Sequence, residues 1–433
     1  MPDLTADGLA RFSAAAAAHV GDETVPGLVA LTARGDQVHA EALGSLSAGG
    51  PAVRRDSLFR IASITKPVTG AATLALVRDG LLDLDEPVGR LLPELAAPRV
   101  LRRMDGPLDD TVPARRPITV RDLLTFTFGC GLTTEMFAAQ RPWPVVAQAD
   151  ALHLSTIGPP DPAEQPGPDT WIAGLGSLPL LAQPGERWFY NTGASVLGVL
   201  LERAAGQPFA DVLRTRLFEP LGMRDTGFWT PHTGRLASAF RPAPGGGLEV
   251  WDKPDGLWSG PRAFSDGAAG LVSTAGDLLA FSRMLLRGGD PVLPEGLVTE
   301  MTRDQLTPAQ KAAGGLGPDF FAGVSWGFCT SVVTAGPRAG AFGWAGGFGT
   351  TWLADPGREP DRHRADPADV RQPRATAGSR RPAGRRLRGR RLTRMPPVPR
   401  ACSAWLAAAR GFAPPPLGRR RGPCNDARHT RGL

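Results

Sequence analysis

Strand-forming segments near both ends of the first 356 residues most constrain how this chain can fold. Residues 27–43 are typical of a β-hairpin, and strand-like patterns return strongly only at 323–333 and 340–355. The long stretch between them is dominated by helical periodicity. Because a sheet must bury one face against another layer, we predict an α/β (α+β) fold. Its antiparallel sheet would be built from both chain ends and flanked by helices, with an all-α domain inserted between the two ends.

These patterns also predict the domain organisation. Residues 1–66 and 320–356 would form a discontinuous α/β sheet domain, and residues 67–319 would form a helical domain. The remaining segment, 357–433, holds 20 arginines, five acidic residues and no lysine, and it is rich in proline, glycine and alanine. Since this composition cannot bury enough apolar surface to form a core, we predict a disordered tail.

Several classes of protein are disfavoured by the sequence. No run of about 18 apolar residues occurs, and the first residues lack a signal-peptide pattern, so we predict a cytoplasmic protein without a membrane segment. The six histidines and four cysteines show no metal-ligand spacing. We therefore expect neither a metal nor a cofactor. The oligomeric state is left open.

Two rare residue types stand at motif-like positions. Tyr190 is the only tyrosine, and it directly precedes a predicted helix. Lys66 is one of three lysines and follows Ser63 by three residues at a predicted helix start, so one helical turn places both side chains on one face. Burial would lower the pKa of such a lysine until it could accept the serine proton. The pattern indicates a serine nucleophile activated by a lysine and a phenol, although each feature alone is weak and Tyr190 could be an ordinary core residue.

Three motifs in this order resemble the serine β-lactamase and penicillin-binding-protein-like family. They are Ser63-Ile64-Thr65-Lys66, Tyr190 ahead of its helix, and Gly343-Trp344-Ala345-Gly346-Gly347 in a late strand. More narrowly, the chain is similar to class C β-lactamases and family VIII carboxylesterases over roughly residues 5–356. The resemblance implies a β-lactamase/transpeptidase-like fold. It also implies Ser63 as the acyl-accepting nucleophile, Lys66 and Tyr190 as the proton-transferring pair, and Gly347 as the second oxyanion N–H beside that of Ser63.

Two departures from the family pattern bear on the substrate. Asn191 follows Tyr190 directly, one place earlier than the asparagine of the class C motif, and Trp344 stands where those enzymes have lysine or histidine. Without a cation to recognise a substrate carboxylate, a neutral ester is favoured over a penicillin. We predict a serine hydrolase that forms an acyl-enzyme on Ser63 and acts on small carboxylic esters, with Trp344, Gly346, Gly347 and Asn191 in the substrate-binding or oxyanion positions.

Two alternatives remain open. One is a β-lactamase or D-aminopeptidase-like amide hydrolase, and the other is an inactive binding homologue with a basic tail. In either enzymatic case the partner is a small-molecule ester or amide.

The tail allows a further interpretation. Relatives in the resembled family continue past the aspartate-proline at 355–356 with a hydrophobic strand and a final helix, which this chain lacks. A change of reading frame near Arg358 would explain the abrupt shift in composition, and the coding DNA would test it. We do not expect the tail to bind nucleic acid, although its basic run is of the kind that could.

Overall fold

The computed structural model describes residues 4–21, 25–154, 162–243, 247–317 and 319–358. Within these residues, no helix combines the length and apolar character needed to cross a membrane. The cytoplasmic location stays a prediction. The predicted disordered tail lies outside the described residues, except for Gly357 and Arg358, which end a 3-10 turn.

The described residues alternate between α-helices and short strands. The strands are β1 (Gly27–Arg34), β2 (Gln37–Gly44), β3 (Phe59–Arg60), β4 (Arg99–Leu101), β5 (Thr111–Pro113), β6 (Ala239–Pro242), β7 (Leu248–Asp252), β8 (Val272–Ser273), β9 (Val324–Trp326), β10 (Ser331–Val333), β11 (Phe342–Gly346) and β12 (Thr350–Ala354). The α-helices are α1 (Ala6–Ala17), α2 (Thr65–Arg78), α3 (Val120–Leu124), α4 (Thr134–Ala138), α5 (Pro144–Ala151), α6 (Pro168–Gly176), α7 (Thr192–Ala205), α8 (Phe209–Leu213), α9 (Glu219–Leu221), α10 (Ala275–Leu286), α11 (Glu295–Thr302) and α12 (Pro308–Ala313). A π-helical turn (Arg214–Phe218) joins α8 to α9, and 3-10 turns lie at Ala62–Ile64, Val88–Arg90, Pro93–Leu95, Thr233–Arg235 and Pro356–Arg358.

Both chain ends supply antiparallel strands, as predicted. Near the N-terminus, β1 and β2 form a hairpin, while β12, β11, β10 and β9 lie side by side in that order. Among the described residues these are two separate sheets, and helix α10 contacts both of them. Arg283 of α10 donates to the carbonyl of Gly35 at 2.9 Å, and Trp352 of β12 donates to Ser282 of α10 at 2.5 Å. The predicted single sheet built from both chain ends is therefore corrected to two sheets in this part of the chain, each in contact with helix α10.

The segment predicted as all-α also contains short strands, which is a correction to that part of the prediction. Strand β4 pairs with β5, β6 pairs with β7 as a hairpin, and β8 pairs with β3, which lies before this segment. Most of these strands have two to four residues, which is too few for the alternation of apolar and polar residues to be recognised in the sequence. The predicted boundaries at 66 and 320 stay predictions.

Two buried helices hold the centre of the molecule together. Every residue of α2 from Thr65 to Leu76 is buried, and so is every residue of α7 from Thr192 to Leu201. A helix that is buried on all sides requires neighbours all round, and α2 packs against α7, α8 and α11. Strand β11 lies against the 3-10 turn that leads into α2. The N-terminal end of α2 is therefore enclosed by the helical layer and by the C-terminal sheet.

Candidate active site

Ser63 lies in the 3-10 turn Ala62–Ile64, which leads directly into α2. Its neighbour Ala62 has a φ of 44°, in the left-handed region that residues with a Cβ rarely adopt. Such a conformation persists only where the surroundings enforce it, and it is often found at functional sites. The turn leaves the Ser63 side chain partly accessible while its neighbours are buried.

Lys66 lies one turn further on and its side chain reaches back to the serine. Its Nζ donates to Ser63 Oγ at 3.0 Å and to the backbone carbonyl of Ala268 at 2.8 Å. The residue is completely buried, and this burial lowers the pKa of Lys66 to about 7 because it penalises the charged amine. The nearby negative charge of Asp266 opposes that decrease. Near neutral pH the amine is therefore poised between its neutral and charged forms.

Tyr190 lies beside Lys66. The Nζ of Lys66 is 4.6 Å from the centroid of the Tyr190 ring, over its face. The tyrosine backbone is fixed by two hydrogen bonds of 2.8 Å with the backbone of Leu132. Its hydroxyl oxygen accepts a hydrogen bond of 2.9 Å from Nε1 of Trp344. Since an indole N–H can only donate, this contact stabilises negative charge on the phenol oxygen.

Asn191 occupies a strained position between Tyr190 and α7. Its φ of 82° and ψ of −68° lie outside the usual regions, and its side chain makes no capping bond to the helix. Its backbone carbonyl accepts from the N–H of Ala194 at 3.1 Å. The strain is located at the junction that places the tyrosine and starts the helix.

Glycine at 346 allows the end of β11 to approach the serine turn closely. A Cβ at this position would lie 2.3 Å from the carbonyl oxygen of Ile61, which precedes the turn. Thr350 of β12 donates to the same oxygen at 3.1 Å. Gly347 begins the tight turn that joins β11 to β12 and is partly buried. The third sequence motif is thus held against the segment that carries Ser63.

Asp266 and Ser195 are further polar residues at this site, and the sequence did not reveal their role. Asp266 is buried and accepts hydrogen bonds from Ser195 Oγ at 2.7 Å and from the backbone N–H of Ala268 at 2.9 Å. These bonds hold the loop whose Ala268 carbonyl accepts from Lys66. Residues 66 and 266 are two hundred positions apart, so no local spacing signals their contact.

The structure thus brings together a hydroxyl, a buried amine and a phenol. Ser63 and Lys66 are hydrogen-bonded, Tyr190 packs against Lys66, and Trp344 bonds to Tyr190. In the described part of the chain there is no group of three or more His, Cys, Asp or Glu side chains that could hold a metal ion. The arrangement places a nucleophilic hydroxyl beside side chains that can transfer a proton.

Comparison with known proteins supports the same family and fold. A family model described as Beta-lactamase matches residues 12–369. Protein Rv1367c of Mycobacterium tuberculosis is 39% identical over 345 residues, covering 74% of this chain and 79% of the relative. Esterase EstB of Burkholderia gladioli is 32% identical over 373 residues, which cover 80% of this chain and 87% of the esterase. The solved structure of EstCE1, described as a hydrolase with promiscuous acyltransferase activity, has a TM-score of 0.65 at 25% identity and covers 81% of this chain and 91% of its own. The predicted β-lactamase/transpeptidase-like fold is confirmed, and the chain belongs to the Beta-lactamase family of serine hydrolases.

Proposed function

We propose that this chain hydrolyses small, neutral carboxylic esters through an acyl-enzyme on Ser63. The observation that supports this most strongly is the hydrogen bond of 3.0 Å between Ser63 Oγ and a fully buried Lys66 whose pKa is lowered to about 7. A general base works best when its pKa lies near the working pH. A lysine in this state can take the serine proton without the help of a histidine.

The proposed reaction begins with proton transfer from Ser63 Oγ to the neutral amine of Lys66. The oxygen then attacks the ester carbonyl carbon, and the carbonyl electrons move onto its oxygen. The backbone N–H groups of Ser63 and Gly347 would stabilise that oxyanion. Tyr190 would relay a proton to the leaving alcohol oxygen as the ester C–O bond breaks, leaving an acyl group on Ser63.

A water molecule completes the proposed cycle. The same lysine and tyrosine pair removes a proton from the water as it attacks the acyl carbon. The bond to Ser63 Oγ then breaks, the serine recovers its proton, and the carboxylic acid leaves. The proposal is supported by the hydrogen bond between Lys66 and Ser63 and by the packing of Tyr190 against Lys66.

Trp344 supports the choice of a neutral ester over a penicillin. Its indole N–H already donates to Tyr190, so this position offers no cation to pair with a substrate carboxylate. The similarity to esterase EstB agrees with this substrate class. Asn191 and Gly346 would shape the same pocket from the tyrosine turn and from β11.

Acyl transfer to an alcohol is a second candidate, supported by the similarity to EstCE1. It differs from hydrolysis only in the acceptor, because an alcohol oxygen would replace water in attacking the acyl-enzyme. A lactam or D-amino amide as the substrate is a third candidate, and an inactive binding homologue is the last. All but the last share the first half-reaction on Ser63.

Turnover of chromogenic substrates separates these candidates. Wild-type protein would be assayed with p-nitrophenyl butyrate and with a chromogenic cephalosporin, with and without a short alcohol. We expect ester turnover, little cephalosporin turnover and, if acyl transfer occurs, a butyrate ester of the added alcohol. Faster cephalosporin turnover would favour the lactamase alternative. The absence of turnover of either substrate by folded protein would contradict the proposal and favour the inactive homologue.

A further inference from the structure

A cavity of about 630 Å³ opens beside the loop that holds Lys66. Its wall includes Asp266 and Gly270 of that loop but none of the residues Ser63, Lys66 and Tyr190. The volume lies in the range of ordinary small-molecule sites. The cavity is thus a second candidate binding site, adjacent to the active site but separate from its reacting groups.

Aromatic side chains form much of the cavity wall. Phe264 is buried and stacks on Trp171 at a ring distance of 5.1 Å, which fixes its orientation. Phe228 packs against Phe209 at 5.5 Å, while Trp229 remains 42% exposed at the wall. A large, half-exposed indole beside fixed rings is suited to contact the apolar body of a ligand.

The carboxylates of the wall already have partners. Asp211 and Glu219 both form ion pairs with Arg214, at 3.0 and 2.5 Å respectively. Asp266 accepts hydrogen bonds from a serine hydroxyl and a backbone N–H. The negative charges of the wall are therefore largely compensated within the protein.

Two arginines of the wall lack such compensation. Neither Arg224 nor Arg262 forms an ion pair with a carboxylate in the described residues, and Arg262 donates only to the backbone carbonyls of Leu257 and Gly256. Both side chains are exposed at the wall. They leave positive charge next to the aromatic surface, which favours an anionic ligand group.

Gln165 adds an independent observation that points to a ligand. The residue is 4% exposed, it lines the cavity, and its buried side-chain oxygen has no hydrogen-bond partner among the described residues. A buried polar atom without a partner destabilises the folded protein, so such atoms are rare without a reason. A hydrogen-bond donor of a bound molecule would satisfy it.

We propose that this cavity binds an amphipathic organic anion, with an apolar body and a carboxylate. The body packs on Phe228 and Trp229, and the carboxylate pairs with Arg262 and Arg224. A hydroxyl of the ligand donates to the side-chain oxygen of Gln165. This assignment does not depend on the reaction at Ser63.

10-Hydroxydecanoate is a suitable probe, because it combines a flexible apolar chain with one carboxylate and a hydroxyl that can donate to the Gln165 side-chain oxygen. Its affinity for the full-length protein would be measured by calorimetry. Its location would be mapped by photocrosslinking with a diazirine analogue and peptide mass spectrometry. Arg262→Gln and Gln165→Leu test the anion and amide contacts, and Arg55→Gln, which removes one exposed charge elsewhere, is the matched control.

We expect crosslinks on peptides that contain Phe228, Trp229 or Phe264. Affinity should fall at least tenfold in Arg262→Gln and in Gln165→Leu and stay unchanged in Arg55→Gln. Gln165→Leu should also unfold at a temperature no lower than wild type, because an unsatisfied buried amide is removed. Crosslinks confined to other parts of the chain, or wild-type affinity in either cavity variant, would overturn the proposal.

Discussion

At the scale of single residues, Lys66 links the fold to the chemistry because its burial changes its acid–base behaviour. It is fully enclosed, it donates to Ser63 and to the Ala268 carbonyl, and its pKa is lowered to about 7. The same burial that makes the amine a useful base also destabilises its charged form in the folded protein. Activity and stability should therefore both depend on the titration of this one group.

The pH dependence of ester turnover should report the Lys66 pKa. Only the neutral amine can accept the serine proton, so kcat/KM should fall below pH about 7 and level off above it. In Asp266→Asn the fall in kcat/KM should occur at a lower pH, because the Asp266 charge raises the Lys66 pKa. Ser195→Ala keeps that charge and is the control. Profiles measured between pH 5 and 9 that were flat, or that did not move in Asp266→Asn, would contradict this account.

Lys66→Met should stabilise the fold while abolishing turnover. In the unfolded chain the lysine binds its proton below its ordinary pKa of 10.5, whereas in the folded protein it does so only below about 7. Wild-type stability therefore rises with pH between these values, by at most about 1.4 kcal/mol per unit. We expect Lys66→Met to be more stable than wild type by about 1–4 kcal/mol at pH 7, and by less at pH 9.5.

Urea unfolding at the two pH values measures this difference. The exposed Lys253 provides the control, since Lys253→Met should change stability little at either pH. An advantage of Lys66→Met that does not depend on pH would mean that packing, and not the amine charge, is responsible. Lower stability of Lys66→Met at both pH values would contradict the expected stabilisation.

Trp344→Phe tests the hydrogen bond to the Tyr190 hydroxyl. It keeps an aromatic ring but removes the N–H donor at 2.9 Å, so kcat should fall about tenfold to a hundredfold with little change in KM. Trp352→Phe is a matched control, because Trp352 lies directly opposite Trp344 on the next strand and bonds to Ser282 instead. Steady-state kinetics would be measured for both variants. An equal fall in kcat in the two would count against the role of Trp344.

At the scale of elements, the site depends on how closely β11 approaches the turn before α2. Gly346 makes that approach possible, since any side chain there would overlap the Ile61 carbonyl. The two sides of this contact could be recognised in the sequence, because Ser63 and Gly346 belong to motifs. The sequence could not predict the Asp266 loop, whose contact with α2 joins segments two hundred residues apart and carries no periodic signal.

Gly346→Ala should separate β11 from the serine turn. A Cβ at 2.3 Å from a backbone oxygen forces one of the two elements to move, so we expect a loss of kcat above about a hundredfold and of about 1–3 kcal/mol in stability. Gly296→Ala is the control, because Gly296 is exposed within α11 and faces open space. The control should retain full activity and be slightly more stable. Wild-type kinetics in Gly346→Ala would show that the close approach is not required.

At the scale of the whole molecule, the order of strands, helices and strands was largely predictable from periodicity. The N-terminal hairpin and the late strands carry clear alternation and turn residues, and the structure contains both. The short strands β3 to β8 were missed because most of them have only two to four residues, too few to show the alternation of a strand. Strands β3 and β8 are also partners distant in sequence. The relative placement of the two sheets on α10 likewise depends on tertiary contacts that no local window contains.

The most direct test of the central claim is to trap the acyl group. Wild-type protein would be mixed with p-nitrophenyl butyrate, quenched in acid within the first turnover and analysed by peptide mass spectrometry. We expect a butyryl group on the peptide that carries Ser63, and neither adduct nor ester turnover in Ser63→Ala. An adduct on a different residue, or ester turnover that survives Ser63→Ala, would contradict the account.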